Sequence, residues 1–258
     1  MTTLKIHPTV IIESGAKIDD SVKIGPYSII GENVVIKSGT EIGSHVVITG
    51  NTIIGKNNII YSHNSIGQAP QDKKYKNEKT KLEIGDNNTI REFCTINIGT
   101  AQDNGITRIG SNNWIMAYVH IAHDCILGDN IIMANNSSLA GHVQIDDYAI
   151  LGGFTLVHQF CKIGAHIMSA VGTKVFKDIP PFVTVYGEKA TPSGINVEGL
   201  KRRNFTDSDI SELKKAFKII YKKNNTALEA VRILNDISTE NTNLLSSFIK
   251  NSARGIVR

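Results

Sequence analysis

Four of the eight histidines, His120, His123, His142 and His158, fall within 39 residues of a 258-residue chain, and Asp124 directly follows one of them. An imidazole titrates at about 6.5, so an outward-facing histidine can take a proton from a hydroxyl at neutral pH, and a carboxylate beside it strengthens the base. Three imidazoles and a water would equally make a catalytic zinc site, so acid–base and metal chemistry are both open at this point. Thiol chemistry is not. The three cysteines, Cys94, Cys125 and Cys161, form no CxxC pair and are too few for a disulfide scaffold. A lone surface histidine signifies little, and four signify something only if the fold brings them together.

The positioning element is a repeat. An aliphatic residue recurs at every sixth position: Ile6, Ile12, Ile18, Ile24, Ile30, Ile36, Ile42, Ile48, Ile54, Ile60 and Ile66 are all isoleucine, and the series resumes at Ile84, Ile90 and Ile96. After a slip of one residue it runs from Ile109 to Ile163. Neither a helix nor an ordinary strand has this period. The following position is often glycine, as at Gly25, Gly43, Gly85 and Gly128, and the fourth is small or β-branched; the cysteines occupy that fourth place, which makes them interior packing groups. Such hexads wind a parallel β-helix of triangular section with one inward aliphatic per short strand. Twenty-four hexads make eight coils of 18 residues, and the thin interior accounts for 39 isoleucines beside only 16 aromatic residues.

Coils stack ~4.8 Å apart, so residues 18 apart lie one above another. His123 then lies beneath Gly141 and Gly141 beneath Gln159, with Asp124, His142 and Phe160 in the adjacent column. The scattered histidines become a cluster: a base, its carboxylate, a second histidine one coil on, and a gap without a side chain over the first. Through that gap a backbone N–H at Gly141 can approach a developing oxyanion.

Two segments leave the repeat. The polar, lysine-rich 67–83 stretch must loop out of the prism, and a shorter excursion over 99–107 carries the turn residues Asp103, Asn104 and Gly105. Loops of this kind in a compact repeat commonly bind ligands. The β-helix is expected over 1–189 and a small α-helical domain over 190–258, where Thr206 and Asp209 read as a capping box ahead of Ile210, Leu213, Phe217 and Ile220. Residues 190–258 carry 12 basic and 7 acidic side chains, so the charge of +4 for the whole chain is concentrated there and suits an acidic partner. It is too small to suggest a nucleic-acid binder. No run approaches the ~18 apolar residues of a membrane span, and the start shows no cleavable signal, so a cytoplasmic protein without integral membrane contact is expected.

At HIAHDC, ANNSSLAGHV, GGFTLVHQF and INVEGLKRR the sequence resembles the UDP-N-acetylglucosamine O-acyltransferase family, within the superfamily of hexapeptide-repeat acyltransferases. The resemblance spans the whole chain and supplies the left-handedness that periodicity alone cannot. It implies transfer of an (R)-3-hydroxyacyl chain from acyl carrier protein to the 3-hydroxyl of UDP-N-acetylglucosamine, the first step of lipid A synthesis, by direct attack with no covalent intermediate, metal or cofactor. It implies His123 as general base, Asp124 as the residue that orients it, and the Gly141 N–H as oxyanion donor. Gln71, Asp72, Lys74, His120, His142, His158 and Gln159 match substrate contacts, while Asn196, Glu198, Arg202 and Arg203 match a nucleotide-binding stretch, where arginine forks suit diphosphate oxygens. The family is a homotrimer with sites between prisms, which fits a loop at 67–83 lacking an obvious dock on its own chain. Met168 and Val171 match the end of the acyl groove; Val171 stands where members taking longer chains have glycine. A related N-acyltransferase carries an extra N-terminal domain, whereas here the repeats start at residue 6. Two other readings remain: a zinc hydratase on the same prism, like certain carbonic anhydrases, to which HIAHD corresponds poorly, and a noncatalytic scaffold.

Overall fold

A computed structural model describes residues 5–258; residues 1–4, the start of the expected 1–189 segment, lie outside the described residues. Strands mostly two residues long form three sheets of nine, eight and ten strands, parallel except for the last strand of the third, the faces of a left-handed parallel β-helix. Register follows the hexad: Ile12 pairs with Ile30, Ile30 with Ile48 and Ile24 with Ile42, each 18 apart. The inward isoleucines are buried from Ile24 onward, and they surface only at the open first coil, where Ile12 is 41% exposed. Burying one such side chain contributes about 2 kcal/mol, and the narrow column leaves no room for rings.

The two interruptions differ in how they disturb this register. Across the first, Ile66 pairs with Ile96, and the 30-residue separation holds two extra hexads, so the isoleucine frame is unchanged. Across the second, Ile90 pairs with Ile115, and the 25-residue separation holds one hexad plus one residue, which is the slip. Both loops are shorter than the hexad pattern suggests, because the chain pairs as soon as a ladder is available. Ser65–Gln68, Lys81–Ile84 and Ile106–Ile109 are strand, leaving 69–80 and 98–105 outside the ladder. Tyr75 packs against the main core, so the first loop does dock on its own chain.

The corners are held in two ways. The left-handed backbone position at each corner is seldom glycine: Tyr27, His45, His63, Phe93 and Tyr118 take it at one corner and Asn57, Asn87, Asn112, Asn130, Tyr148 and His166 at another. Most amides there reach a carbonyl of the coil below, as His63 N does to Ser44 O and Asn112 N to Asp86 O, and Tyr27 N reaches Thr9 Oγ1 instead, which offsets the unfavourable φ. The rings from Tyr27 to Tyr118 stack at centroid spacings of 4.9–5.1 Å. The glycines after the inward aliphatics serve close approach between coils instead; a Cβ on Gly85 would fall 2.6 Å from the Gly110 carbonyl oxygen. Inside, Asn58, Asn88 and Asn113 form a ladder, Asn88 donating to Asn58 Oδ1 and to Gly110 O while accepting from Asn113 N.

Beyond the prism, Thr191–Ile195 adds an antiparallel strand to the ten-stranded sheet, so the segment expected to be purely helical opens with a strand. Four helices follow: α1 (Val197–Arg202), α2 (Asp207–Tyr221), α3 (Ala227–Ile237) and α4 (Glu240–Lys250). Thr206 with Asp209 closes a capping box on α2, and Thr226 with Glu229 and Thr239 with Thr242 do the same for α3 and α4. Leu200, Ile210, Leu213, Ile220 and Leu234 pack with Phe182 of the last coil in a second core. Among the described residues no helix is long and apolar enough to cross a membrane.

Asn88→Ala should cost about 2–3 kcal/mol, because it strands the Asn113 N–H and the Gly110 carbonyl in the interior, and a lowered denaturant midpoint would show it. His166 gives a pH test. Burial, then the Arg203 guanidinium, push its pKa down to about 4. The unfolded chain binds that proton near 6.5, so the stability tied to neutral His166 is complete above about 6.5 and is lost as the pH falls toward 4. His166→Phe keeps the stack with Tyr148 and Phe182 and should flatten the pH dependence of stability in that window by up to about 2 kcal/mol.

Candidate active site

His123 sits where the strand His120–Ile121 turns the third corner of the prism, and Asp124 takes the left-handed position there with φ of 60°. The Asp124 amide donates to Thr107 Oγ1, and its carboxylate is buried. One carboxylate oxygen accepts from Thr100 N at 2.8 Å; the other accepts from Thr100 Oγ1 at 2.7 Å and from His123 Nδ1 at 2.8 Å. Burial pushes this carboxyl up, but the hydrogen bonds from His123 and Thr100 and the nearby His142 outweigh it and hold it below the ordinary range, so it is ionised at neutral pH. An ionised carboxylate can only accept. The His123 proton therefore lies on Nδ1, and Nε2 keeps its lone pair.

Gly141 lies directly over that nitrogen. A Cβ there would fall 2.6 Å from Cε1 and 2.8 Å from Nε2 of His123, so any other residue would displace the imidazole. The same position at another corner has its amide capped from the coil above: Lys56 N donates to Asp86 Oδ1, Asp86 N to Ser111 Oγ, Ser111 N to Asp129 Oδ1 and Asp129 N to Asp147 Oδ1. Gly141 is buried, and among the described residues its N–H has no acceptor; the coil above offers Gln159, whose side chain is turned out and exposed. A buried, unpaired donor beside a basic nitrogen suits a species that carries both a proton to lose and an oxygen that becomes negative.

His142 follows at the corner, stacked on Phe160 at 4.3 Å and edge-on to His123 at 5.1 Å. Its Nδ1 lies 2.8 Å from Asp103 Oδ2 and 3.8 Å from Asp124 Oδ2. His120 faces outward on the adjoining sheet, with Nδ1 2.7 Å from Thr95 Oγ1; burial and then the neighbouring His123 lower its pKa. His158 is exposed, its Nδ1 3.2 Å from the Gln159 carbonyl. Ligand atoms of His123, Asp124 and His142 lie within 4.8 Å of one another, the spacing of a possible metal group. Each Nδ1 in it already faces a carboxylate, and Asp124 takes three donors, so the group is satisfied as a proton network.

Other expected site residues lie elsewhere on the same chain. Gln71 and Lys74 are exposed, and Asp72 accepts the Lys74 amide at 2.9 Å. The end of their loop, at Tyr75, Glu78 and Lys79, borders a cleft with Gly15, Lys17 and Glu32 of the first coils. Among the described residues no hydrogen bond or ion pair ties this loop to His123. Asn196 is buried: it caps α1 by accepting from Gly199 N and donates to His166 O, which leaves it a structural part besides any contact with ligand. Glu198 and Arg202 are exposed, while Arg203 lies over the Tyr148 ring at 5.1 Å and 3.4 Å from His166 Nδ1. This patch is on the next corner of the prism. Met168 and Val171, 40% and 73% exposed, belong to the face and corner beyond it. Thr100, Asp103 and His166 were not anticipated as site residues. Thr100 and Asp103 flank the slip in the hexad count, which was the available signal.

Residues 178–257 match the family model described as Udp N-acetylglucosamine O-acyltransferase, domain 2, and residues 4–38 and 106–141 match bacterial transferase hexapeptide repeats. The acyl-[acyl-carrier-protein]–UDP-N-acetylglucosamine O-acyltransferase of Thiobacillus denitrificans is 60% identical over 255 residues, covering 98% of this chain and 99% of that protein. Its namesake in Herminiimonas arsenicoxydans is 58% identical over 261 residues, with the same coverages. The solved UDP-N-acetylglucosamine acyltransferase of Francisella novicida superposes with a TM-score of 0.96 at 46% identity, covering 98% of this chain and 94% of that one. These relatives do not favour a hydratase or a noncatalytic scaffold. Sequence, fold and corner geometry agree that the chain belongs to the UDP-N-acetylglucosamine O-acyltransferase family, and it is an acyltransferase.

Proposed function

We propose that this chain transfers an (R)-3-hydroxyacyl group from acyl carrier protein to the 3-hydroxyl of UDP-N-acetylglucosamine, in the first step of lipid A synthesis. The observation that carries the reading is the unpaired, buried Gly141 N–H beside the free Nε2 of His123. His123 Nε2 takes the proton of the sugar hydroxyl as its oxygen attacks the thioester carbonyl, and Asp124 holds the imidazole and balances the charge it acquires. The Gly141 N–H stabilises the tetrahedral oxyanion. When the C–S bond breaks, the imidazolium returns its proton to the departing thiolate. The thioester is already activated, so the scheme uses no covalent enzyme intermediate, no metal and no cofactor.

The dispersal of the remaining site residues over different corners supports a homotrimer with sites between subunits. One prism would supply His120, His123, His142, His158 and Gln159. Its neighbours would supply the loop residues Gln71, Asp72 and Lys74, the acyl-groove residues Met168 and Val171, and the diphosphate-binding Arg202 and Arg203 with Asn196 and Glu198. For the donor, Lys214, Lys215, Lys218, Lys222 and Lys223 stand exposed along and just beyond α2, a basic face suited to steering an acidic carrier protein. A sugar nucleotide and an acyl carrier protein as the two substrates fit a cytoplasmic enzyme.

His123→Ala should lower kcat by about 10²- to 10⁴-fold with the oligomer and its melting unchanged. Full activity in this variant, or a stoichiometric zinc required for turnover of the native protein, would sink the mechanism. A second prediction concerns chain length. Val171 projects from the corner, and a Cβ on Gly153 of the coil below would fall 4.0 Å from its Cγ2. Val171→Gly should shift the products toward longer acyl chains by one or more two-carbon units, read by mass spectrometry of products from UDP-N-acetylglucosamine and mixed 3-hydroxyacyl carriers. Identical product profiles would refute it.

A further inference from the structure

The excursion at 98–105, which lengthens its coil by seven residues, accounts for more than a slip in register. It delivers Thr100 to Asp124, and it also delivers Asp103 to His142, so that each imidazole of the edge-on pair has a carboxylate on Nδ1. Asp124 is buried and shared among three donors. Asp103 is 37% exposed and accepts from His142 alone among the described residues. The loop does not need Asp103 to keep its shape: Gly99 N donates to Lys81 O, Lys81 N to Gly105 O, and Thr100 is pinned to Asp124. A partly solvated pair of this kind adds little stability, so holding the fold together is not what it does well.

What it does fix is the position of a proton. Neutral imidazole in water favours Nε2–H. An ionised carboxylate 2.8 Å from Nδ1 reverses that choice, and the other carboxylate in range, Asp124, is 3.8 Å away with its oxygens already engaged. Stacking on Phe160 holds the ring plane while Asp103 sets which edge is donor and which is acceptor. The geometry points to Asp103 as a positioning residue that keeps the His142 proton on Nδ1, so that Nε2 is presented as a hydrogen-bond acceptor for a hydroxyl of the sugar nucleotide. This rests on the proposed reaction, in which His142 meets that substrate.

The experiment uses the full-length protein labelled with 15N-histidine, together with steady-state kinetics. In the free native protein, at a pH where His142 is neutral, its imidazole should show a protonated Nδ1 and an unprotonated Nε2. Asp103→Ala should move the proton to Nε2 in most molecules and raise KM for UDP-N-acetylglucosamine about tenfold, with kcat within about threefold. Asp103→Asn, nearly isosteric, should give an intermediate result, and Asp103→Glu should restore both readouts. A native His142 already protonated on Nε2, or an Asp103→Ala variant with unchanged tautomer and KM, overturns the inference. The tautomer is read without turnover, so a native protein that transfers no acyl group but shows the Asp103-dependent shift counts against the proposed reaction and leaves the positioning role standing.

Discussion

The ladder of peptide hydrogen bonds between coils is the constraint from which the rest of the structure follows. It fixes the stacking distance, and with it the rule that residues 18 apart share a column wherever no loop intervenes. Inside, the rule makes columns of isoleucine. At the corners it makes columns of asparagine or of stacked rings, because every corner backbone repeats the same conformation and sets like side chains in register. The active corner obeys the same rule with different residues: Asp124, His142 and Phe160 take the places that asparagines hold elsewhere, and Gly141 stands where Ser111 or Asp129 would. The candidate site is therefore a corner of the ordinary kind without the side-chain caps that the column from Lys56 to Asp147 carries.

That view explains how much of the site could be read from the sequence. The columns His123–Gly141–Gln159 and Asp124–His142–Phe160 needed only counting, because no insertion falls between residues 109 and 163. The partners of Asp124 and His142 were hidden because they lie across an insertion, where adding 18 no longer finds the neighbour. Thr100 precedes Asp124 by 24 residues and Asp103 precedes His142 by 39. The loop limits failed for a related reason, since strand pairing resumes before the next inward aliphatic makes it visible. The burial of Asn196 was also hidden: an asparagine before a helix is a natural cap, but its second bond, to the carbonyl of His166, depends on tertiary packing.

Electrostatics divides the molecule in a way that composition hints at but does not locate. The prism is nearly neutral, and many of its carboxylates are engaged locally, capping corner amides, facing imidazoles or pairing with lysine and arginine. The exposed lysines of α2 and of the turn after it have no comparable partners among the described residues, so their field extends into solvent. Arg203 is different again. It lies over Tyr148 beside His166, and burial lowers its pKa, so it is a guanidinium held in place and partly stripped of water. Such a group favours an anion more than a freely hydrated one does, because part of the desolvation has already occurred on folding.

Gly141 matters more than its lack of a side chain suggests. Removing the cap from a buried amide costs about 1–3 kcal/mol in the absence of a ligand. The fold tolerates this because the inter-coil ladder holds the peptide whether or not its N–H is paired: His142 N still donates to His123 O and Phe160 N to Gly141 O. A loop with an uncapped amide would turn it to water, but the rigid corner cannot. The donor is therefore already oriented before any oxygen arrives, and stabilising a developing charge there requires little reorganisation. In the proposed mechanism, rigidity of the ladder, more than the identity of any one side chain, is what would convert a missing hydrogen bond into a binding site for an oxyanion.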